Sequence, residues 1–143
     1  MQLPETFIFE KRYWYPHMMP EDRAIWERFI EKYPDAYDTV QYDVPCGSDP
    51  EFNSSVQEEI GGNAIKLYKK KIDVLAFKGD AIDIIELKPK AGASAVGQVK
   101  MYKNLYIKDY TPPVTPRCVL ITDAANSDVR EFAQMENVNL FIV

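Results

Sequence analysis

The sequence contains few of the residues on which several common kinds of functional site depend. It has one histidine, His17, and two cysteines, Cys46 and Cys118. A single histidine excludes the histidine-rich metal nucleases, and two cysteines without CxxC spacing exclude a disulfide framework. We therefore expect both cysteines to be reduced and to lie in the core. No GxSxG, HExxH or P-loop sequence is present to support the mechanisms those motifs serve.

Long hydrophobic runs are also missing. No stretch reaches the roughly 18 apolar residues of a membrane-spanning helix, and the start, MQLPETFIFEKRYWYPH, lacks the regions of a secretory signal. We therefore expect a cytoplasmic protein without a membrane partner. The 143 residues, 46% hydrophobic and 13% aromatic, suit one domain over residues 1–143 with a substantial core.

Charge is distributed unevenly along the chain. The net charge of −5 and pI near 4.9 argue against a nucleic-acid partner when the chain is taken as a whole. Residues 64–108, however, contain ten lysines and four acidic residues, a local charge of +6, against −8 for 1–63 and −3 for 109–143. The basic block is either a solvated lysine-rich face or a surface that binds phosphates.

Hydrophobic periodicity predicts an α/β fold. The spacing of apolar residues, together with turn and capping residues, gives the following order: a short strand at 6–9, a helix at 20–33, a strand at 39–44, strands at 66–78 and 81–88, a helix at 94–108, a strand at 117–122, a helix at 127–136 and a strand at 138–143. The final strand, helix and strand predict a right-handed crossover between parallel strands, so the sheet is expected to be mixed.

A polar connection at 47–63 interrupts this order. It contains Ser55 and Glu58 at capping-box spacing and Gly61 as a helix stop, which predict at most one helical turn. We expect it to be mobile, and it is a plausible clamp on a ligand.

The two central strands are predicted to form a hairpin around KGDA. With a two-residue turn Lys78 lies opposite Ala81, and a four-residue loop leaves the same register. Either turn places Asp73 opposite Glu86, with their Cβ atoms about 4.5 to 5.5 Å apart on one face of the sheet. Alternation along the strand puts Lys88 on that face too, about 7 Å from Glu86.

Two carboxylates in this position repel each other unless a positive charge lies between them. A divalent cation fits, because Mg²⁺ or Mn²⁺ takes oxygen ligands, commonly one or two carboxylates completed by waters and substrate phosphates. Asp73 and Glu86 are therefore predicted metal ligands. The Lys88 ammonium would lie beside the attacking water and could orient or deprotonate it, or stabilise charge growing on phosphorus. A surface ion-pair cluster at a sheet end is the alternative interpretation.

Asp73 followed by Glu86-x-Lys88, in a hairpin that precedes a helix with Gln98 and Tyr102, resembles the PD-(D/E)XK nuclease superfamily, including its small phage-encoded members. The resemblance implies the restriction-endonuclease-like αβββαβ core with an added C-terminal helix and strand. It also implies that the two acids bind Mg²⁺, that the lysine assists the attacking water, and that a glutamate of the first helix completes the site.

We assign that last role to Glu27, for which Glu31 competes. The resemblance further implies that Gln98, with Tyr102, supports the site as a Q-x-x-x-Y element. The chain departs from many members at Ile72, which stands where they have proline.

The predicted function is metal-dependent hydrolysis of DNA phosphodiesters, in phage or bacterial DNA processing, recombination or repair. The lysines predicted to contact the DNA backbone are Lys70, Lys71, Lys90 and Lys100. Specificity would come from DNA structure, from a partner or from a homodimer. The alternative is a catalytically inactive nuclease fold that binds nucleic acid or a protein. Tyr13, Trp14 and Tyr15 either stack on bases or cover the core.

Overall fold

A computed structural model of the chain describes residues 4–49 and 69–143. The predicted capping box at Ser55 and Glu58, the stop at Gly61 and most of the predicted clamp lie outside these residues. The third predicted strand begins at Lys71 in the structure; its predicted first residues, 66–68, also lie outside the described residues.

The described residues form six strands and three helices in an α/β arrangement. In chain order these are β1 (Thr6–Ile8), α1 (Pro20–Lys32), β2 (Thr39–Pro45), β3 (Lys71–Lys78), β4 (Ala81–Leu87), α2 (Ala93–Tyr110), β5 (Arg117–Thr122), α3 (Ser127–Met135) and β6 (Val138–Ile142). Each of these elements matches a predicted one. Within the described ranges, no helix has the length and hydropathy to span a membrane.

The strands form one mixed sheet in the order β1-β2-β3-β4-β5-β6. The first four strands pair antiparallel, whereas β4–β5 and β5–β6 pair parallel. The predicted mixed sheet is therefore confirmed. Helix α1 packs on one face of the sheet, and α2 and α3 pack on the other.

Local sequence signals determine where helix α1 begins and which of its faces is buried. Pro20 occupies the first helical position, and two acids follow in the first turn, where the helix dipole favours negative charge. Its buried stripe includes Trp26 and Phe29, whose rings stack 5.6 Å apart, and the Trp26 Nε1–H donates to Tyr42 Oη at 3.0 Å. Burying such side chains contributes about 1.5 to 3 kcal/mol each, which fixes the helix against the sheet.

The central hairpin has the predicted register. Lys78 pairs with Ala81 across a two-residue turn in which Gly79 has a φ of 54°, and the ladder continues to Val74 opposite Ile85. The next position along this register brings Asp73 beside Glu86, at the end of the hairpin away from the turn.

The alternation of Val40, Tyr42 and Val44 with polar residues predicts that all three face the same side of the sheet. In the structure they do not. Val40 and Tyr42 pack on the α1 side, but Val44 packs on the α2 side. The change occurs at Asp43, which has a left-handed φ of 57°. Opposite this point β3 makes the same change, because Val74 packs on the α1 side and Ile72 on the α2 side.

Asp83 alternates with Glu86 along the strand, and this predicts a solvent-exposed or edge-facing side chain on the other face. The prediction is wrong, because Asp83 is buried. Its side chain does point to the opposite face from Glu86, but there it accepts hydrogen bonds from Tyr37 Oη at 2.7 Å and from Arg117 Nε at 2.7 Å. The burial is tolerated because both carboxylate oxygens have donors. This network joins β4 to β5 at the end of the sheet distant from Glu86.

Candidate active site

Asp73 and Glu86 lie at the end of the β3–β4 hairpin where the two strands separate. The Leu87 N–H does not continue the backbone ladder there. It donates instead to Asp73 Oδ2 at 2.9 Å, so the side chain of Asp73 replaces a backbone acceptor. This bond fixes the Asp73 carboxylate directly beside the position of Glu86 on the neighbouring strand.

Glu86 is a buried acid whose carboxylate has fewer hydrogen bonds than it can accept. Only 6% of the residue is exposed, and within the described part of the chain its Oε2 is buried without a hydrogen-bond partner. Burial, with the nearby Asp73 charge, raises the pKa of Glu86, and burial likewise raises the pKa of Asp73. An unpaired buried carboxylate oxygen is costly, so a function for it is expected.

Lys88, just after β4, and Gln98, on the helix α2 that follows, line the same cleft. Lys88 is exposed immediately after β4, and its charge lowers the pKa of Glu86, opposing the effect of burial. Gln98 on α2 lines the cleft and donates from Nε2 to Tyr102 Oη at 2.8 Å. The four predicted residues Asp73, Glu86, Lys88 and Gln98 are therefore neighbours around one cleft.

Helix α1 contributes Asp22 to this cleft, not Glu27. The first turn of α1, from Pro20 to Asp22, lies over the end of β4 and lines the cleft. Burial raises the pKa of Asp22 while the charge of Lys88 lowers it, which places Asp22 near that lysine. Sequence reasoning missed Asp22 because an acid in a first turn is already explained by the helix dipole.

The structure does not bring Glu27 to the cleft, contrary to its predicted position. Glu27 is five residues beyond Asp22, which is about 140° around the helix and about 7.5 Å along it. Its carboxylate accepts from Tyr15 Oη at 3.1 Å and from Arg23 Nε at 3.1 Å. Glu31 is also engaged elsewhere, in an ion pair with Lys11.

The four predicted DNA-contacting lysines have different surroundings. Lys90 lines the cleft, Lys70 is exposed just before β3, and Lys71 lies 3.5 Å from the Asp43 carboxylate. Lys100 is not at the cleft, because it points from α2 toward α3. There its Nζ donates to Glu136 Oε2 at 2.7 Å and to the Glu136 carbonyl at 3.2 Å.

The cleft is open and has a volume of about 790 Å³. In the described ranges no group of three or more His, Cys, Asp and Glu side chains forms a metal site. Two carboxylates and an unpaired buried oxygen nevertheless fit a hard divalent cation, since Mg²⁺ commonly keeps several waters and takes further oxygens from substrate phosphates. The donor chemistry of Asp73 and Glu86 therefore suits Mg²⁺ or Mn²⁺.

The described residues form an α/β domain with a six-stranded mixed sheet, and its cleft lies where β3 and β4 separate. Two solved structures are similar to it. A repair endonuclease from Pyrococcus abyssi has a TM-score of 0.51 and 18% identity over 89% of this chain and 49% of that one. An EndoMS–dsDNA2 complex has a TM-score of 0.50 and 17% identity over 94% of this chain and 48% of that one.

The chain spans about half the length of these two structures. At this level of identity the likeness concerns the fold, and the predicted restriction-endonuclease-like fold is confirmed. No protein-family model and no curated protein matches the sequence.

Proposed function

We propose that this chain is a metal-dependent deoxyribonuclease that hydrolyses DNA phosphodiesters. The observation that carries the proposal is the buried Oε2 of Glu86, which has no hydrogen-bond partner among residues 4–49 and 69–143. It lies beside Asp73 in an open cleft that also receives Lys88. Isolated surface ion pairs do not require a carboxylate oxygen to be buried without a donor.

Asp73 and Glu86 would hold Mg²⁺ or Mn²⁺ through carboxylate oxygens. When bound, such a cation polarises a phosphoryl oxygen and neutralises developing negative charge. The Lys88 ammonium would orient the attacking water or stabilise charge on the phosphorus oxygens. Gln98, held by Tyr102, presents a fixed amide to the cleft, and Asp22 supplies the acid of the first helix.

The comparisons support DNA as the substrate. One similar structure is a repair endonuclease, and another is a complex of EndoMS with dsDNA. We extend these descriptions to this chain as a proposal, with DNA repair, recombination or processing in a phage or bacterium as the setting. We further propose that selectivity comes from DNA structure, from a partner or from a second copy of the chain.

The test is cleavage of supercoiled plasmid and of branched DNA by the purified chain, with Mg²⁺, with Mn²⁺ and with EDTA. We expect cleavage only with metal, and a loss of about 100-fold or more in Glu86→Gln and Lys88→Met, since each removes a group that acts on the reacting phosphate. Lys78→Met is the matched control, because Lys78 lies at the opposite end of the hairpin and pairs with Asp38.

Cleavage by Glu86→Gln at the wild-type rate would contradict the site assignment. A protein that cuts nothing and is not stabilised by Mg²⁺ would instead be the inactive module that binds nucleic acid or a protein partner. The acidic pI of about 4.9 is the observation that keeps this second candidate in view.

A further inference from the structure

The segment between β1 and α1 exposes two of its three consecutive aromatic residues. Tyr13 is 99% exposed and Trp14 is 65% exposed, whereas Tyr15 is only 4% exposed. Tyr15 therefore belongs to the core, as one interpretation of the sequence predicted, but its two neighbours do not. Tryptophan is usually well buried, so an exposed indole needs a reason.

Trp14 lies at a cavity that adjoins the candidate active site. This cavity has a volume of about 350 Å³ and is lined by Trp14, Tyr15, His17, Met18 and Arg23. A smaller cavity shares His17 and Met18 with it, and shares Asp22, Asp73 and Leu87 with the cleft. The small cavity therefore lies between the aromatic surface and the cleft and shares lining residues with both.

The protein holds this aromatic segment in place. The Arg12 N–H donates to Tyr15 Oη at 2.9 Å, and Tyr15 Oη donates to Glu27 at 3.1 Å. Arg23 lies over the Tyr15 ring at 5.4 Å and donates from Nη2 to the Arg12 carbonyl at 3.3 Å. Because Tyr15 and Arg23 line the cavity together with Trp14 and are held by these contacts, part of the cavity wall is fixed before any ligand arrives.

The lining of the cavity is chemically suited to a nucleobase. Aromatic side chains and arginine guanidinium groups stack on unpaired bases, and a methionine thioether contacts aromatic rings favourably. Bases inside a duplex already stack on their neighbours, so only an unpaired base can offer its face to Trp14.

We propose that Trp14, with Met18 and Arg23, forms a subsite for an unpaired nucleobase of DNA on the strand that enters the cleft. This deepens the proposed function and rests on it only in taking DNA as the ligand. It gives the chain a preference for single-stranded DNA, or for duplexes that contain an unpaired nucleotide, over fully paired duplex.

The experiment uses the chain's own tryptophans as reporters, in EDTA so that no DNA is cut. Trp26, the other tryptophan, is fully buried, so quenching by DNA reports Trp14. The ligands are a single-stranded oligonucleotide, a duplex with one unpaired nucleotide and the same duplex fully paired. We expect the first two to quench the fluorescence, and the paired duplex to quench little.

Trp14→Ala should weaken binding of the two unpaired ligands by about 5- to 100-fold, the range for loss of one stacked base, with little change for the paired duplex. Trp14→Phe should restore most of the affinity. Met135→Ala is the matched control, since Met135 is 72% exposed and belongs to α3.

The outcomes separate this inference from the proposed function. If the chain cleaves DNA but Trp14→Ala binds all three ligands as the wild type does, the subsite is refuted while the nuclease remains. If the Trp14-dependent preference appears in a chain that cuts nothing, the subsite stands and the nuclease does not. An equal loss for all three ligands, or no quenching by any of them, also refutes the subsite; the latter would leave a protein partner as the occupant.

Discussion

Glu86 is the residue at which the needs of stability and function are opposed. A carboxylate that is 6% exposed and has an oxygen without a donor costs free energy in the metal-free protein. The protein meets part of this cost by favouring the protonated form, since burial raises the pKa of Glu86 and the Asp73 charge raises it further. At neutral pH a cation would remove the cost altogether.

These pKa shifts predict how the stability of the metal-free protein depends on pH. A carboxyl whose pKa is higher in the folded than in the unfolded state contributes stability that is complete below about pH 4 and is lost as the pH rises. Glu86→Gln removes the part of this dependence that Glu86 contributes, whereas the buried Asp73 keeps its own part. In EDTA we expect the variant to match the wild type near pH 4 and to be more stable at pH 8. Each kcal/mol gained in unfolding free energy should raise the melting temperature by about 3 °C or more.

The measurement is thermal unfolding of both proteins across this pH range, in EDTA and with Mg²⁺. Saturating Mg²⁺ should raise the melting temperature of the wild type and narrow its difference from Glu86→Gln, because the cation binds the folded state. A variant that is less stable than the wild type at pH 8 in EDTA would show that the Glu86 carboxylate is already satisfied without metal.

At the scale of elements, helix α1 decides which acid reaches the cleft. Only its first turn lies over the end of β4, so Asp22 lines the cleft while Glu27 faces Tyr15 and Arg23. We expect Asp22→Asn to lower cleavage at saturating DNA by about 10- to 100-fold, the usual effect of removing a group that supports a metal site.

Glu27→Gln is the control for this prediction, because it alters an acid of the same helix away from the cleft. It should cleave at nearly the wild-type rate and lose about 1 kcal/mol of stability through its weakened bonds to Tyr15 and Arg23. Cleavage rates and melting temperatures of both variants test the assignment. A large loss of cleavage in Glu27→Gln, with Asp22→Asn unaffected, would restore Glu27 to the site.

The elements themselves could be predicted from the sequence because their signals are local. The register of the β3–β4 hairpin follows from its turn and from the two-residue period of strands, and it brings Asp73 and Glu86 together. The first turn of α1 follows from Pro20 and the acids after it. What the periodic pattern could not give is which turn of that helix overlies the cleft, since this depends on how the helix packs on the sheet.

Two other features of the sheet could not be predicted from the hydrophobic periodicity, because each depends on contacts distant in the sequence or on local backbone conformation. The change of face in β2 depends on the left-handed φ of Asp43, which aspartate adopts only in particular surroundings. The burial of Asp83 depends on Tyr37 and Arg117, which are 46 and 34 residues away along the chain. The alternation of side chains along the strand predicts the face on which Asp83 lies, but it does not predict the donors that make its burial tolerable.

At the scale of the whole molecule, a net charge of −5 must be reconciled with a polyanionic ligand. The acidic residues do not cancel the lysines uniformly, because some lysines are paired within the protein and others face the cleft. Lys100 is held by Glu136 between α2 and α3, whereas Lys88 and Lys90 line the cleft. The proposed DNA binding would therefore depend on where the lysines lie, and much less on their number.

Lys90→Met and Lys100→Met change the net charge equally and differ only in position, so together they test this claim. Each phosphate contact adds about 0.9 to the slope of log affinity against log salt for duplex DNA. Measured in EDTA, Lys90→Met should lower that slope by about 1, because Lys90 lines the cleft. Lys100→Met should leave the slope unchanged, since its ammonium is already bonded to Glu136. Equal changes in the two variants would mean that overall charge governs binding. A larger change in Lys100→Met would place the DNA near Glu136, where Lys100 lies, and away from the cleft.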